Sequence, residues 1–128
     1  MIQLQADQCV RSFLQEATRL GVEVHWEKDM INLKAAYVAR PGKPGKILLF
    51  DSMPRPGSAK LCTLLAHEMV HVMQHWKGNL RATPPLGWPI DDVTETRNLT
   101  RQQREAYSAE KDPAMVLNKL RALQPIED

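Results

Sequence analysis

Two histidines and a glutamate share one short stretch, Leu64-Leu65-Ala66-His67-Glu68-Met69-Val70-His71-Val72, and no other segment offers comparable chemistry. Residues four apart on a helix lie about 40° apart around its axis, so the imidazoles of His67 and His71 can reach one ion. Glu68 is turned about 100° from His67, beside such an ion without being aimed at it, which suits a general base for metal-activated water. Zinc lowers the pKa of a bound water to about 7, where a neighbouring carboxylate can take its proton. The composition of the chain gives roughly 0.008 chance occurrences of this spacing, so the pattern is informative. Leu61, Leu65, Met69, Val72, Met73 and Trp76 fall on the opposite side. The helix is therefore expected to bury one face and to present its ligands on the other.

A catalytic zinc site uses three protein ligands and one open position. His75 lies two turns beyond His67, too far along the axis to share an ion, and is expected to be a partly exposed polar residue. His25 could arrive only through tertiary folding. The downstream carboxylates are Asp91, Asp92, Glu95, Glu105 and Glu110. Glu95 closes a capping-box pattern that begins at Asp92, which already accounts for it. Glu105 lies within an expected helix, where small Ala106 and Ala109 permit close approach to a neighbour.

The elements that must position these residues follow from periodicity. Val10, Phe13, Leu14, Ala17 and Leu20 recur at helical spacing over Ala6 to Leu20, with Gly21 as the expected stop. Val22, Val24 and Trp26 then alternate with charged or polar neighbours, which predicts a half-buried strand. Asp29 to Asn32 reads as a turn, Leu33 to Ala39 as a second strand and Ile47 to Phe50 as a third. The intervening Arg40-Pro-Gly-Lys-Pro-Gly-Lys46 reads as a hairpin loop. Ser58 is the expected N-cap of the metal-binding helix, which Gly78 ends after Lys77. Asn79 to Asp91, with Pro84, Pro85, Gly87 and Pro89, is a long stiff loop in which Trp88 either lines a groove or pins the loop to the core. Thr100-Arg-Gln-Gln103 matches a second capping box and opens a helix to about Lys111; Asp112-Pro113 opens a last one reaching Leu123. One α+β domain spanning residues 1–128 is expected: an N-terminal helix, a small sheet of about three strands, the metal-binding helix and two further helices.

A chain of 128 residues can bury a core without staples, and 43% hydrophobic with 25% charged residues argues against a fully disordered chain. No apolar run exceeds Ala35 to Ala39, which excludes a membrane span in this sequence. A net charge of +2 neither demands nor forbids a polyanionic partner. Arg97, Arg101 and Arg104 make a basic stripe with no nucleic-acid recognition motif beside it, so solvated charge is the expected role. Met1 to Val10 has no cationic start and no apolar block, so a cytoplasmic setting with Cys9 and Cys62 as reduced thiols is expected, Cys62 as a small core residue.

The run from Leu64 to Gln74, followed by Glu105-Ala106-x-x-Ala109, resembles the HExxH zincin metallopeptidases of the gluzincin type. The short length and element order are similar to minimal domains of the ImmA/IrrE kind, and His71-Val72-Met73-Gln74 to small bacterial metallopeptidase domains. The resemblance implies a zinc ion held by His67, His71 and Glu105, with Glu68 as base and then acid, and a peptide or protein as substrate. Thermolysin-like members support a histidine with an Asp four residues after the ligand glutamate. Here that position is Ala109, so support must come from elsewhere, with Ser108 a candidate. Tyr107 lies about 200° from Glu105 on the same helix and is expected in the core. Hydrolysis of peptide bonds by metal-activated water is the expected function. The alternatives are a catalytically silent zincin-fold binding or regulatory module and a structural zinc domain. The sequence leaves the oligomeric state open.

Overall fold

The computed structural model describes residues 5–28, 34–51 and 58–126 of the chain. Helix α1 spans Ala6–Leu20 and buries Cys9, Phe13, Ala17 and Leu20, the stripe that a 3.6-residue period aligns. It closes on Gly21, whose φ of 79° is left-handed, while the Val22 N–H reaches back to the Ala17 carbonyl at 2.8 Å.

Three strands follow, β1 (Glu23–Lys28), β2 (Ala35–Arg40) and β3 (Lys43–Asp51), in the spatial order β1-β3-β2. Strand β3 is central: β1 pairs with it in parallel and β2 antiparallel. The sheet turns Ile47 and Leu49 into the core, 0% and 2% exposed. Strand β1 is less buried than its alternation suggests; only Val24 is half-buried, and Trp26 is 39% exposed, because β1 is an edge. Strand β3 starts at Lys43, within the stretch expected to be loop. Pairing with β1 begins only at Lys46, so Pro44, which has no N–H to give, interrupts no ladder on that side. The expected turn at Asp29 to Asn32, the start of the second strand at Leu33 and the segment preceding Ser58 lie outside the described residues.

Helix α2 (Ser58–Lys77) is the spine of the molecule and contacts α1, α3, α4, β2 and β3. The two-faced helix expected from the apolar spacing is not what forms. Leu65, Met69, Val72 and Met73 are buried, but so are His67, Glu68, Gln74 and His75, since α2 is covered on almost every side. Gly78 follows α2 for a reason other than left-handed backbone, which is taken instead by Asn79 (φ 56°) and Leu80 (φ 62°). A Cβ at Gly78 would stand 2.2 Å from the Ala82 carbonyl oxygen, so any side chain there would push the returning loop away.

A 3-10 turn at Thr94–Thr96 precedes α3 (Arg101–Ala109) and α4 (Pro113–Arg121). The turn is not capped by Asp92, whose carboxylate pairs with Arg97 instead. Thr100 does cap α3, accepting from the Gln103 amide at 3.2 Å, and Asp112 caps α4 from the Met115 amide at 3.2 Å. Ala106, Ala109, Val116, Leu117 and Leu120 join the core. Among the described residues no helix is long and apolar enough to cross a membrane.

The cysteine expectation is corrected. Cys9 of α1 and Cys62 of α2 form a disulfide, with Cα atoms 5.7 Å apart. Burying α1 against α2 brings together two residues 53 positions apart, a proximity that spacing in the sequence does not carry.

Candidate metal centre

His67, Glu68 and His71 lie near the middle of α2 and line a cleft of about 790 Å³ between that helix, β2 and α3. The imidazoles of His67 and His71 stand 5.1 Å apart, centroid to centroid. Their Nε2 atoms converge on one point, the Gln103 Oε1 of α3, at 3.1 and 3.2 Å. Behind each ring an oxygen takes the other nitrogen: Glu110 Oε1 lies 2.8 Å from His67 Nδ1, and Gln74 Oε1 lies 2.8 Å from His71 Nδ1. Rings held this way have fixed orientation and a defined tautomer.

The surroundings tune the three groups differently. Burial pushes Glu68, 5% exposed, up to about 7; the His67 charge opposes the shift and Glu110 adds to it. Burial works against the charged form of His67, but the Glu110 hydrogen bond and the carboxylates of Glu68 and Glu110 outweigh it and raise its pKa. Burial lowers the pKa of His71, with Gln74 opposing and the His67 charge assisting.

Glu105 is not brought to the two Nε2 atoms. Its carboxylate, fully buried, accepts from the backbone amides of Leu86, Gly87 and Trp88 at 2.8, 2.6 and 3.1 Å and from Gln74 Nε2 at 3.1 Å. Two positions along a helix is a turn of about 200°, so α3 points Gln103 at the histidines and Glu105 at the loop behind them. Glu105 thus clamps the loop and, through Gln74, steadies His71. Among the described residues no group of three His, Cys, Asp or Glu side chains is placed to hold a metal ion. Glu95 is exposed on the 3-10 turn, outside the cleft.

Removing the Glu105 carboxylate strands three amides and a side-chain amide, at about 1–3 kcal/mol for each group left unpaired. Partial rehydration limits the sum, so Glu105→Ala is expected to lower stability by about 3 kcal/mol. Urea unfolding of the metal-free protein measures it. A loss below about 1 kcal/mol would show that the loop does not depend on this clamp.

Other expectations change in the same region. His75 is buried, 2% exposed, and its Nε2–H spans the Arg40 and Lys43 carbonyls at 3.1 and 2.8 Å, bracing the β2–β3 turn. The Tyr37 hydroxyl donates to the Pro44 carbonyl from the same hairpin. These bonds set β2 against α2 and so fix one wall of the cleft. Tyr107 is not a core residue: it is 44% exposed, lines the cleft and meets the His67 ring edge-on at 4.5 Å. The support expected of Ser108 comes instead from Glu110 and Gln74, while the Ser108 Oγ accepts from the Asp91 amide at 2.9 Å. Trp88 packs against the core and is not among the cleft residues, so it pins the loop.

Sequence alone does not single out Glu110 or Gln103: Glu110 is one of five downstream carboxylates, and Gln103 is accounted for by its capping box. Only its backbone amide serves that cap; its side chain is free to face α2. Comparison of the chain with protein-family models, with curated proteins and with solved structures gives no match.

Proposed function

We propose that this domain is a zinc-dependent metallopeptidase that hydrolyses peptide bonds. One observation carries the reading: the Nε2 atoms of His67 and His71 converge on a single point inside a cleft that also holds the buried carboxylate of Glu68. The donor set fits zinc, since both rings are supported at Nδ1 by oxygen acceptors, which leaves Nε2 as the ligating atom. Zinc held by His67 and His71 would supply a Lewis acid for the scissile carbonyl and for the attacking water. Glu68, with its pKa near 7, is matched to taking a proton from that water and returning it to the leaving amine.

Among the described residues strand β2 is paired only with β3, and its residues line the cleft, so its outer edge offers backbone groups to an extended peptide. A peptide or protein substrate laid along that edge would pass the histidine pair. The Cys9–Cys62 bridge supports an oxidising compartment over the cytoplasmic setting expected of free thiols.

The test is direct. Protein loaded with one zinc per chain should cleave members of a mixed peptide pool, and a chelator should stop it. Stoichiometric zinc with no cleavage across the pool would instead identify a catalytically silent binding module.

A further inference from the structure

With Glu105 holding the loop amides, the side chain that meets both histidines is Gln103. The hydrogen bonds around the histidines decide where the protons sit. Gln74 Nε2 donates to the Gln102 carbonyl and to Glu105 Oε1, both at 3.1 Å, so its Oε1 is the atom turned to His71 Nδ1. That oxygen only accepts, so His71 Nδ1 carries a proton. Glu110 faces His67 Nδ1 as a carboxylate, and that nitrogen must likewise donate. A neutral imidazole protonated at Nδ1 has a bare lone pair at Nε2. When both rings are neutral, the form that binds a metal, two such lone pairs face Gln103 Oε1, itself an acceptor, at 3.1 and 3.2 Å. Three acceptors held within hydrogen-bond distance with no proton between them are an arrangement that a shared cation relieves.

We propose that Gln103 is the third protein ligand, its side-chain amide oxygen completing a two-histidine, one-glutamine site for a divalent zinc ion. The proposal rests on the reading that His67 and His71 bind zinc, and it departs from the carboxylate that the gluzincin resemblance implies. Thr100 fixes the first turn of α3 and so aims Gln103 at α2. Glu110, seven residues further on at the C-cap of α3, supports His67 from behind. A neutral ligand leaves the full double charge of the ion uncompensated within the first sphere. The site is then more electrophilic than one with a carboxylate, and it holds the metal less tightly.

Zinc affinity, measured by competition with a chromophoric chelator, tests this without reference to activity. Supporting residues at metal sites typically change affinity by about 10- to 100-fold, so Gln103→Ala should weaken zinc by more than about 100-fold. Gln103→Glu should bind zinc more tightly than the parent. Gln103 is exposed at the cleft, so both variants should fold, and melting of the metal-free proteins checks that they do. Affinity of Gln103→Ala within about tenfold of the parent overturns the proposal, as does weaker binding by Gln103→Glu. In either case Gln103 would be an amide donor to the imidazoles. His67→Ala separates the two levels. If it binds zinc as well as the parent does, the histidine reading fails and takes this proposal with it. If it loses zinc while Gln103→Ala keeps it, only the assignment of Gln103 fails.

Discussion

Glu68→Gln is expected to keep the fold and the zinc while peptide hydrolysis falls by about 10²- to 10⁴-fold, the usual contribution of a positioned acid–base group. The amide has nearly the shape of the carboxylate but cannot take a proton from water. A variant that cleaves a peptide as fast as the parent would remove Glu68 from the mechanism.

The same substitution has a second effect, opposite in sign, on the metal-free protein. Folding raises the Glu68 pKa from 4.5 to about 7 because the carboxyl is buried. Below pH 4.5 the group is protonated in both states, and its burial costs nothing electrostatic. As pH rises from 4.5 to 7 the unfolded chain gives up the proton while the fold retains it, so stability declines; above 7 the penalty is constant. At 1.36 kcal/mol per unit the full penalty is about 3 kcal/mol. Chelated Glu68→Gln should therefore be more stable than the chelated parent at pH 8, and the difference should vanish near pH 4. Equal separation of the two urea midpoints at both pH values would show that burial does not perturb this carboxyl. A buried carboxyl that lowers stability at a proposed site is the usual trade between stability and function.

The second large effect concerns the disulfide. Joining Cys9 to Cys62 closes a loop of 53 residues, and the chain-entropy relation assigns such a cross-link about 4 kcal/mol. That is a large share of the roughly 5–15 kcal/mol that holds a domain folded. Both cysteines are buried, 0% and 6% exposed, at the α1–α2 packing surface, so Cys9→Ala/Cys62→Ala also loses some packing there. The double variant should unfold at much lower urea than the oxidised parent, and the reduced parent should approach it. Zinc affinity measured well below the unfolding transition should be nearly unchanged, because none of the four hydrogen bonds at the His67 and His71 rings among the described residues involves α1. Coincident unfolding curves for oxidised and reduced parent, with the thiols shown to be free, would mean the bridge adds nothing to stability.

The local elements were legible because local physics makes them. The 3.6-residue stripe of α1 and its Gly21 stop, the Ser58 to Lys77 span of α2, the Thr100 and Asp112 caps and the β2–β3 hairpin all depend on neighbours within a few positions. The pairing of His67, Glu68 and His71 belongs to the same class, since helix geometry alone sets their mutual angles. The rest depended on which surfaces meet. Docking α3 against α2 selected Gln103 to face the histidines, sent Glu105 to the loop amides and set Glu110 behind His67. Docking α1 on α2 joined Cys9 to Cys62, and packing the hairpin over the end of α2 buried His75. The sequence by itself determined two imidazoles and a carboxylate on one turn of helix. Tertiary structure alone decided their partners, because a contact between residues 32 or 43 positions apart is fixed by how helices pack and leaves no period in the chain.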